Sequence, residues 1–193
     1  MGRPRALLLT PGAGSGRNHP TLVGIEKAVA PLPVARVDFP YRREGRKAPD
    51  RPPKLLACIV DEAAALVERA DVQPAELALG GRSMGGRMCS MAVAEGLPAA
   101  ALVLLSYPLH PPGKPDSLRI DHFGALDLPC LFVSGTKDPF GSPAEIEAHT
   151  AAIPGPVTHV WIEGAGHEVK DLKNDPRQRR VIDAVAGWLQ DLG

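Results

Sequence analysis

Short apolar runs alternate with amphipathic stretches along the whole 193-residue chain. Ala6–Leu9, Val34–Phe39, Leu77–Leu79, Ala101–Ser106, Cys130–Ser134 and Thr158–Ile162 are brief and mostly lack polar alternation. That is the pattern of strands covered on both faces. Between them, the spacing predicts helices over Thr21–Ala30, Pro53–Arg69, Ser83–Glu95, Ser142–Ala152 and Pro176–Leu192. Leu55, Leu56, Ile59, Ala63, Leu66 and Val67 recur at helical spacing in the second, and Val181, Val185, Trp188 and Leu189 form a stripe in the last. Ser142 followed by Pro143 is a helix start. Strand–helix alternation implies an α/β fold: a mainly parallel sheet of about six strands with helices on both faces. The length suits one core and is short for two, so residues 1–193 are expected to form a single domain. Ligands of such sheets bind beyond the carboxyl ends of the strands, so the chemistry is sought in the loops leaving them.

Two of those loops are glycine-rich. The first, Thr10-Pro11-Gly12-Ala13-Gly14-Ser15-Gly16-Arg17, invites a dinucleotide-binding reading, with Asp38 where a ribose-binding acid would stand. The spacing fails: counted from Gly12 and Gly14, the third glycine position holds Arg17, and His19-Pro20 interrupts the approach to the helix. A phosphate-binding P-loop fails too, because no Gly-Lys-Ser/Thr follows at the required distance. The second loop is sharper. Gly81-Arg82-Ser83-Met84-Gly85 is G-x-S-x-G between a predicted strand and a predicted helix. Such a turn holds its serine outward, and the following helix aims unpaired N–H groups and a positive dipole end at it. Charge developing on a substrate oxygen would be stabilised there.

Serine needs a base, and the base needs an orienting acid. Of six histidines, His19 and His110 fall in predicted loops, His122 and His149 at predicted surface positions, and His159 in or beside a strand. His167, in Gly164-Ala165-Gly166-His167-Glu168, follows the last strand on a loop that can return over the carboxyl edge. Asp138 lies just past the fifth strand. Ser83, Asp138 and His167 therefore run in the chain order that separates α/β-hydrolases from other serine-triad folds. Asp171 and Asp127 are weaker candidates for the acid because neither directly follows a strand. Cys89 is weaker still as a nucleophile, lying mid-helix with nothing nearby to favour a thiolate. Backbone N–H groups of Met84 and of Gly12 or Ala13 are the candidate oxyanion donors, since Pro11 has none to give.

Composition narrows the classes. Twenty-two basic residues balance twenty-two acidic ones, which argues against nucleic acid or an anionic membrane as partner. No histidine pair or cysteine cluster has metal-binding spacing, so neither metal nor other cofactor is expected. Cys58, Cys89 and Cys130 each sit among apolar residues and read as buried thiols of a reducing, cytoplasmic compartment. The apolar run at Ala6–Leu9 is too short for a signal-peptide core. Residues 42–54 hold six basic and two acidic side chains. Arg42, Arg82 and Tyr107 are candidate substrate contacts, with a solvated, structural loop as the competing reading for the arginines. Tyr107–Asp127 is the least structured stretch and could fold over a pocket. No cap domain is expected, so a second copy could complete a shallow site as a homo-oligomer.

Three stretches resemble a known family: Leu9-Thr10-Pro11-Gly12-Ala13-Gly14; Phe39-Pro40-Tyr41-Arg42 continuing through Gly45-Arg46-Lys47-Ala48-Pro49-Asp50-Arg51-Pro52-Pro53; and Gly80-Gly81-Arg82-Ser83-Met84-Gly85-Gly86-Arg87. They resemble the dienelactone-hydrolase-like branch of the α/β-hydrolases, and within it the testis-expressed-protein and chromatin-complex-subunit group. The resemblance implies a compact α/β-hydrolase fold with Ser83, Asp138 and His167 as triad, and it makes Ala13 the oxyanion donor beside Met84. It implies hydrolysis of a small ester or related acyl substrate. Because some relatives are complex subunits, it also leaves a catalytically silent binding or scaffold protein as the alternative. Pro11 departs from the histidine that many members carry there. Dienelactone hydrolases use a cysteine nucleophile, so Ser83 points away from that activity.

Overall fold

A computed structural model describes residues 3–168 and 176–192. Six strands, β1 (Ala6–Thr10), β2 (Val34–Arg36), β3 (Leu77–Arg82), β4 (Ala101–Leu105), β5 (Cys130–Gly135) and β6 (Val157–Ile162), form one sheet in the order β2-β1-β3-β4-β5-β6, parallel throughout. Among the described residues six α-helices accompany them: α1 (Pro20–Ala28), α2 (Pro40–Arg43), α3 (Pro52–Ala70), α4 (Met84–Ala94), α5 (Pro143–Thr150) and α6 (Pro176–Asp191).

The apolar runs are unbroken because alternate residues of each strand face different helix layers. Leu8, Leu79, Leu102, Leu104 and Phe132 pack with Ile59 and Leu66 of α3 and Met88 of α4. Leu7, Leu9, Val103, Leu131 and Val133 pack with Leu22 and Ile25 of α1 and Val181 and Val185 of α6. With both faces covered, polar alternation would bury unpaired groups. Both layers leave the carboxyl edge open, and there the strap following β4 carries only a 3-10 turn, Phe123–Ala125. Among the described residues no cap domain lies over that edge. No described helix is long and apolar enough to cross a membrane.

The predicted second strand, Val34–Phe39, is shortened to three residues. Val37 and Phe39 still bury their side chains, but Pro40 starts α2, and the chain turns away before it can extend the ladder. The short α2 had no periodicity long enough to reveal it.

Candidate active site

Ser83 occupies the turn between β3 and α4 with φ 50° and ψ −118°, a strained pose for a residue with a Cβ. Its surroundings hold it there. The Ser83 amide donates to the Leu105 carbonyl at 2.8 Å, and its carbonyl accepts from the Arg87 amide at 3.1 Å. Strand and helix approach too closely for side chains on either side. A Cβ at Gly81 would collide with Thr10 Oγ1, and one at Gly85 would stand 2.5 Å from the Pro11 carbonyl oxygen. The pentapeptide thus has glycine where the backbone of the neighbouring loop passes.

His167 and Asp138 converge on this serine from two adjacent loops. The Lys137 amide donates to the Ala165 carbonyl at 2.8 Å, and the Gly164 amide donates to Thr136 Oγ1 at 2.9 Å. These bonds join the loop leaving β5 to the loop leaving β6. His167 Nε2 lies 2.8 Å from Ser83 Oγ, and Nδ1 lies 2.9 and 3.0 Å from the two Asp138 oxygens. A carboxylate only accepts, so Nδ1 carries the proton and Nε2 is left to accept from the serine hydroxyl. The Asp138 side chain is 1% exposed and that of His167 15%. Asp138 Oδ1 also accepts from the Phe140 amide at 2.9 Å, which fixes the carboxylate plane.

Two supporting residues escaped the sequence reading or changed role. Phe140 stacks on the His167 ring with centroids 4.0 Å apart and an interplanar angle of 31°, closing one side of the imidazole. A phenylalanine after Asp-Pro carries no sequence signal for such a role. Arg82, expected as a substrate contact, is a correction: its side chain is 7% exposed, and Nη2 donates to the His167 carbonyl at 2.8 Å and bridges to Glu168 at 3.0 Å. It holds the histidine loop down. Tyr107 is also corrected. Its ring is buried against Phe123 and Phe132, and its hydroxyl donates to the Arg119 carbonyl at 2.6 Å, so it works inside the strap.

Met84 is the first residue of α4, where an amide has no intrahelical acceptor. The Ala13 amide makes no bond to a protein acceptor among the described residues, while its carbonyl is pinned by Tyr41 Oη at 2.9 Å. A Cβ at Gly12 would lie 3.6 Å from the Ser83 Cβ, so the first glycine loop runs directly over the Ser83 turn. Arg42 is exposed, with its guanidinium beside Gly16 of that loop. Half of the six basic residues of the 42–54 segment are paired: Arg43 with Glu62, Arg46 with Glu44 and Asp50, and Lys54 with the same two acids.

Other candidates fall away. Burial pushes the Cys89 thiol up to about 12, which removes any thiolate at neutral pH. Asp127 is exposed, and Asp171 lies outside the described residues. His122, expected at the surface, is half-buried, with Nε2 2.7 Å from Ser90 Oγ. A cleft of about 440 Å³ lies at the opposite, amino edge of the sheet, lined by Pro4, Val29, Pro31 and Leu189 among others. It holds none of the predicted catalytic groups.

The sequence profile of a family described as an alpha/beta hydrolase domain matches residues 3–189. Among solved structures, a dienelactone hydrolase from Anabaena variabilis superposes with a TM-score of 0.76 at 20% identity, over 98% of this chain and 87% of its own. Est1E from Butyrivibrio proteoclasticus gives 0.74 at 17%, over 98% and 88%. A putative hydrolase of the alpha/beta superfamily from Xanthomonas campestris gives 0.68 at 21%, over 96% and 98%. At these identities the likeness to solved structures concerns the fold.

Proposed function

The chain belongs to the α/β-hydrolase family, and from that premise we propose that it is a serine hydrolase of esterase type acting on a small acyl substrate. The observation that carries this reading is the continuous Ser83–His167–Asp138 hydrogen-bond chain, with bonds of 2.8 and 2.9 Å. In the first half-reaction His167 Nε2 takes the Ser83 proton as Oγ bonds to the substrate carbonyl carbon. The Met84 and Ala13 amides receive the resulting oxyanion. Collapse breaks the bond to the leaving alkoxide, which takes the proton from Nε2 and departs as alcohol. Water then gives its proton to Nε2 and attacks the acyl-enzyme. The acid leaves and the proton returns to Ser83. Asp138 keeps the imidazole in the required tautomer throughout.

The three long stretches quoted from the sequence support placing the chain nearest the testis-expressed-protein and chromatin-complex-subunit group, and its three free, buried thiols support a cytoplasmic setting. The test is labelling by a fluorophosphonate probe together with an ester screen across acyl lengths. The expected result is label on Ser83 that is absent in Ser83→Ala, with turnover of at least one short-chain ester. Labelling that survives Ser83→Ala would assign the reactivity to another residue and overturn the proposal. Absence of both label and turnover would favour the scaffold alternative.

A further inference from the structure

We propose that Arg87 and Arg119 together form an oxyanion-recognising subsite beside Ser83, so that the natural ester carries a carboxylate or phosphate group away from its scissile bond. The inference rests on the serine-hydrolase reading and adds the substrate's charge to it.

Both arginines spring from backbone tied to the nucleophile. Arg87 lies one turn into α4, and its amide donates to the Ser83 carbonyl at 3.1 Å. Met84, Arg87 and Ser90 are spaced three residues apart, so they share one face of the helix. Ser90 identifies what that face meets: its hydroxyl bonds His122 of the strap at 2.7 Å. The strap leaves β4 two residues after Leu105, whose carbonyl accepts from the Ser83 amide at 2.8 Å. Tyr107 Oη donating to the Arg119 carbonyl, and the Arg119 amide donating to the Leu109 carbonyl at 2.9 Å, fold the strap back so that Arg119 returns to this end of the sheet. The charges of Arg87 and Arg119 both act on the Tyr107 hydroxyl, and Arg87 acts on Arg119 itself.

What makes the pair a site is the missing counter-charge. Arg36, Arg43, Arg46 and Arg82 each have a carboxylate partner. Among the described residues neither Arg87 nor Arg119 has one within ion-pair distance, although both are half-buried. Arg87 Nε is fully buried with no hydrogen-bond partner at all. Burial and its like-charged neighbour pull the Arg119 guanidinium below its ordinary value. His122 supplies no compensation, being held neutral, and the exposed Asp121 ion-pairs with neither arginine. Two adjacent, partly desolvated cations are unfavourable unless an anion joins them, and planar guanidinium forks suit a compact oxyanion.

The test has a binding arm and a kinetic arm. Glutarate and inorganic phosphate are titrated calorimetrically into Ser83→Ala protein, then into the same protein carrying Arg87→Met or Arg119→Met. At least one anion is expected to bind, with affinity falling at least tenfold in each double variant and less with Arg119→Lys, which keeps the charge. Which anion binds decides between carboxylate and phosphate. In the kinetic arm, kcat/KM is compared for p-nitrophenyl butyrate and mono-p-nitrophenyl glutarate. The ratio should favour the charged ester and fall at least tenfold in Arg119→Met through a raised KM. No binding of either anion, or affinities and ratios unchanged in both methionine variants, would overturn the subsite. Failure of the probe to label Ser83 would remove the hydrolase reading while leaving the calorimetric result to stand.

Discussion

The molecule contains two serine–histidine pairs of nearly equal length, two helical turns apart along α4. Ser83 meets His167 at 2.8 Å, and Ser90 meets His122 at 2.7 Å. Distance does not separate them; their surroundings do. Ser83 sits at a strained turn with its hydroxyl outside the helix. Ser90 lies within α4, where its hydroxyl donates back to the Arg87 carbonyl at 2.9 Å and can only accept from His122. The proton therefore lies on Nε2 of His122, opposite to the arrangement at His167. The third groups differ as well. Asp138 accepts the Nδ1 proton of His167 and so leaves Nε2 facing Ser83, whereas burial and then the positive charge of Arg87 push His122 down to about 4. On the proposed hydrolase reading, a serine–histidine bond serves as nucleophile and base only when backbone pose and third group agree on the direction of proton flow.

The largest test of this contrast removes each serine in turn. Ser83→Ala should lower kcat for the best ester by about six orders of magnitude, the scale seen when a triad nucleophile is removed. Ser90→Ala should lower it by less than about tenfold, because the hydroxyl only caps a neutral ring. Comparable losses in the two variants would erase the distinction. Asp138→Asn comes next, with an expected loss of about 10⁴ in kcat, since an amide that donates to Nδ1 favours the wrong tautomer. A loss under tenfold would mean that another acid orients His167.

Arg82→Met addresses the support beneath the base. Without the bond to the His167 carbonyl and the bridge to Glu168, the imidazole loses its vertical restraint while keeping Asp138. A displacement of about 1 Å corresponds to roughly 10²-fold in rate. The drop should appear in kcat and in the probe-labelling rate, with KM little changed. A raised KM with intact kcat would return Arg82 to the substrate-contact role read from the sequence.

That reversal marks the boundary of what the sequence disclosed. Strand positions were legible because burial on both faces demands unbroken apolar runs such as Leu102–Leu105 and Leu131–Val133, and the convergence of Ser83, Asp138 and His167 followed from strand ends and chain order. Side-chain direction was not legible. Arg82 and Arg42 look alike in the sequence, yet one turns under the histidine loop and the other faces solvent. Tyr107 follows a strand end, as a site residue would, but the aromatic cluster with Phe123 and Phe132 draws it inward. Arg87 is not singled out by the sequence, because whether it meets a counter-charge depends on which residues of a distant strap face it. Phe140 depends on a ring contact that no spacing encodes.

The smallest effect concerns His122 alone and is read in stability. Its ordinary value of 6.5 is lowered to about 4 in the folded protein, chiefly by burial, with Arg87 opposing the charged form and Asp121 favouring it slightly. Between those two values the unfolded chain binds the proton and the native protein does not. Stability therefore rises with pH across that window and is progressively lost as pH falls from about 6.5 toward 4. The ring is partly solvated, so the loss is on the order of 1 kcal/mol, well short of what the full shift would suggest. His122→Gln keeps an amide donor for Ser90 but does not titrate. Urea unfolding at pH 7 and pH 4.5 should show the wild type losing more stability between the two than the variant, by about that amount. Equal losses would mean that His122 titrates as it does in the unfolded chain, leaving hydrogen-bond direction and backbone pose alone to separate the two serine–histidine pairs.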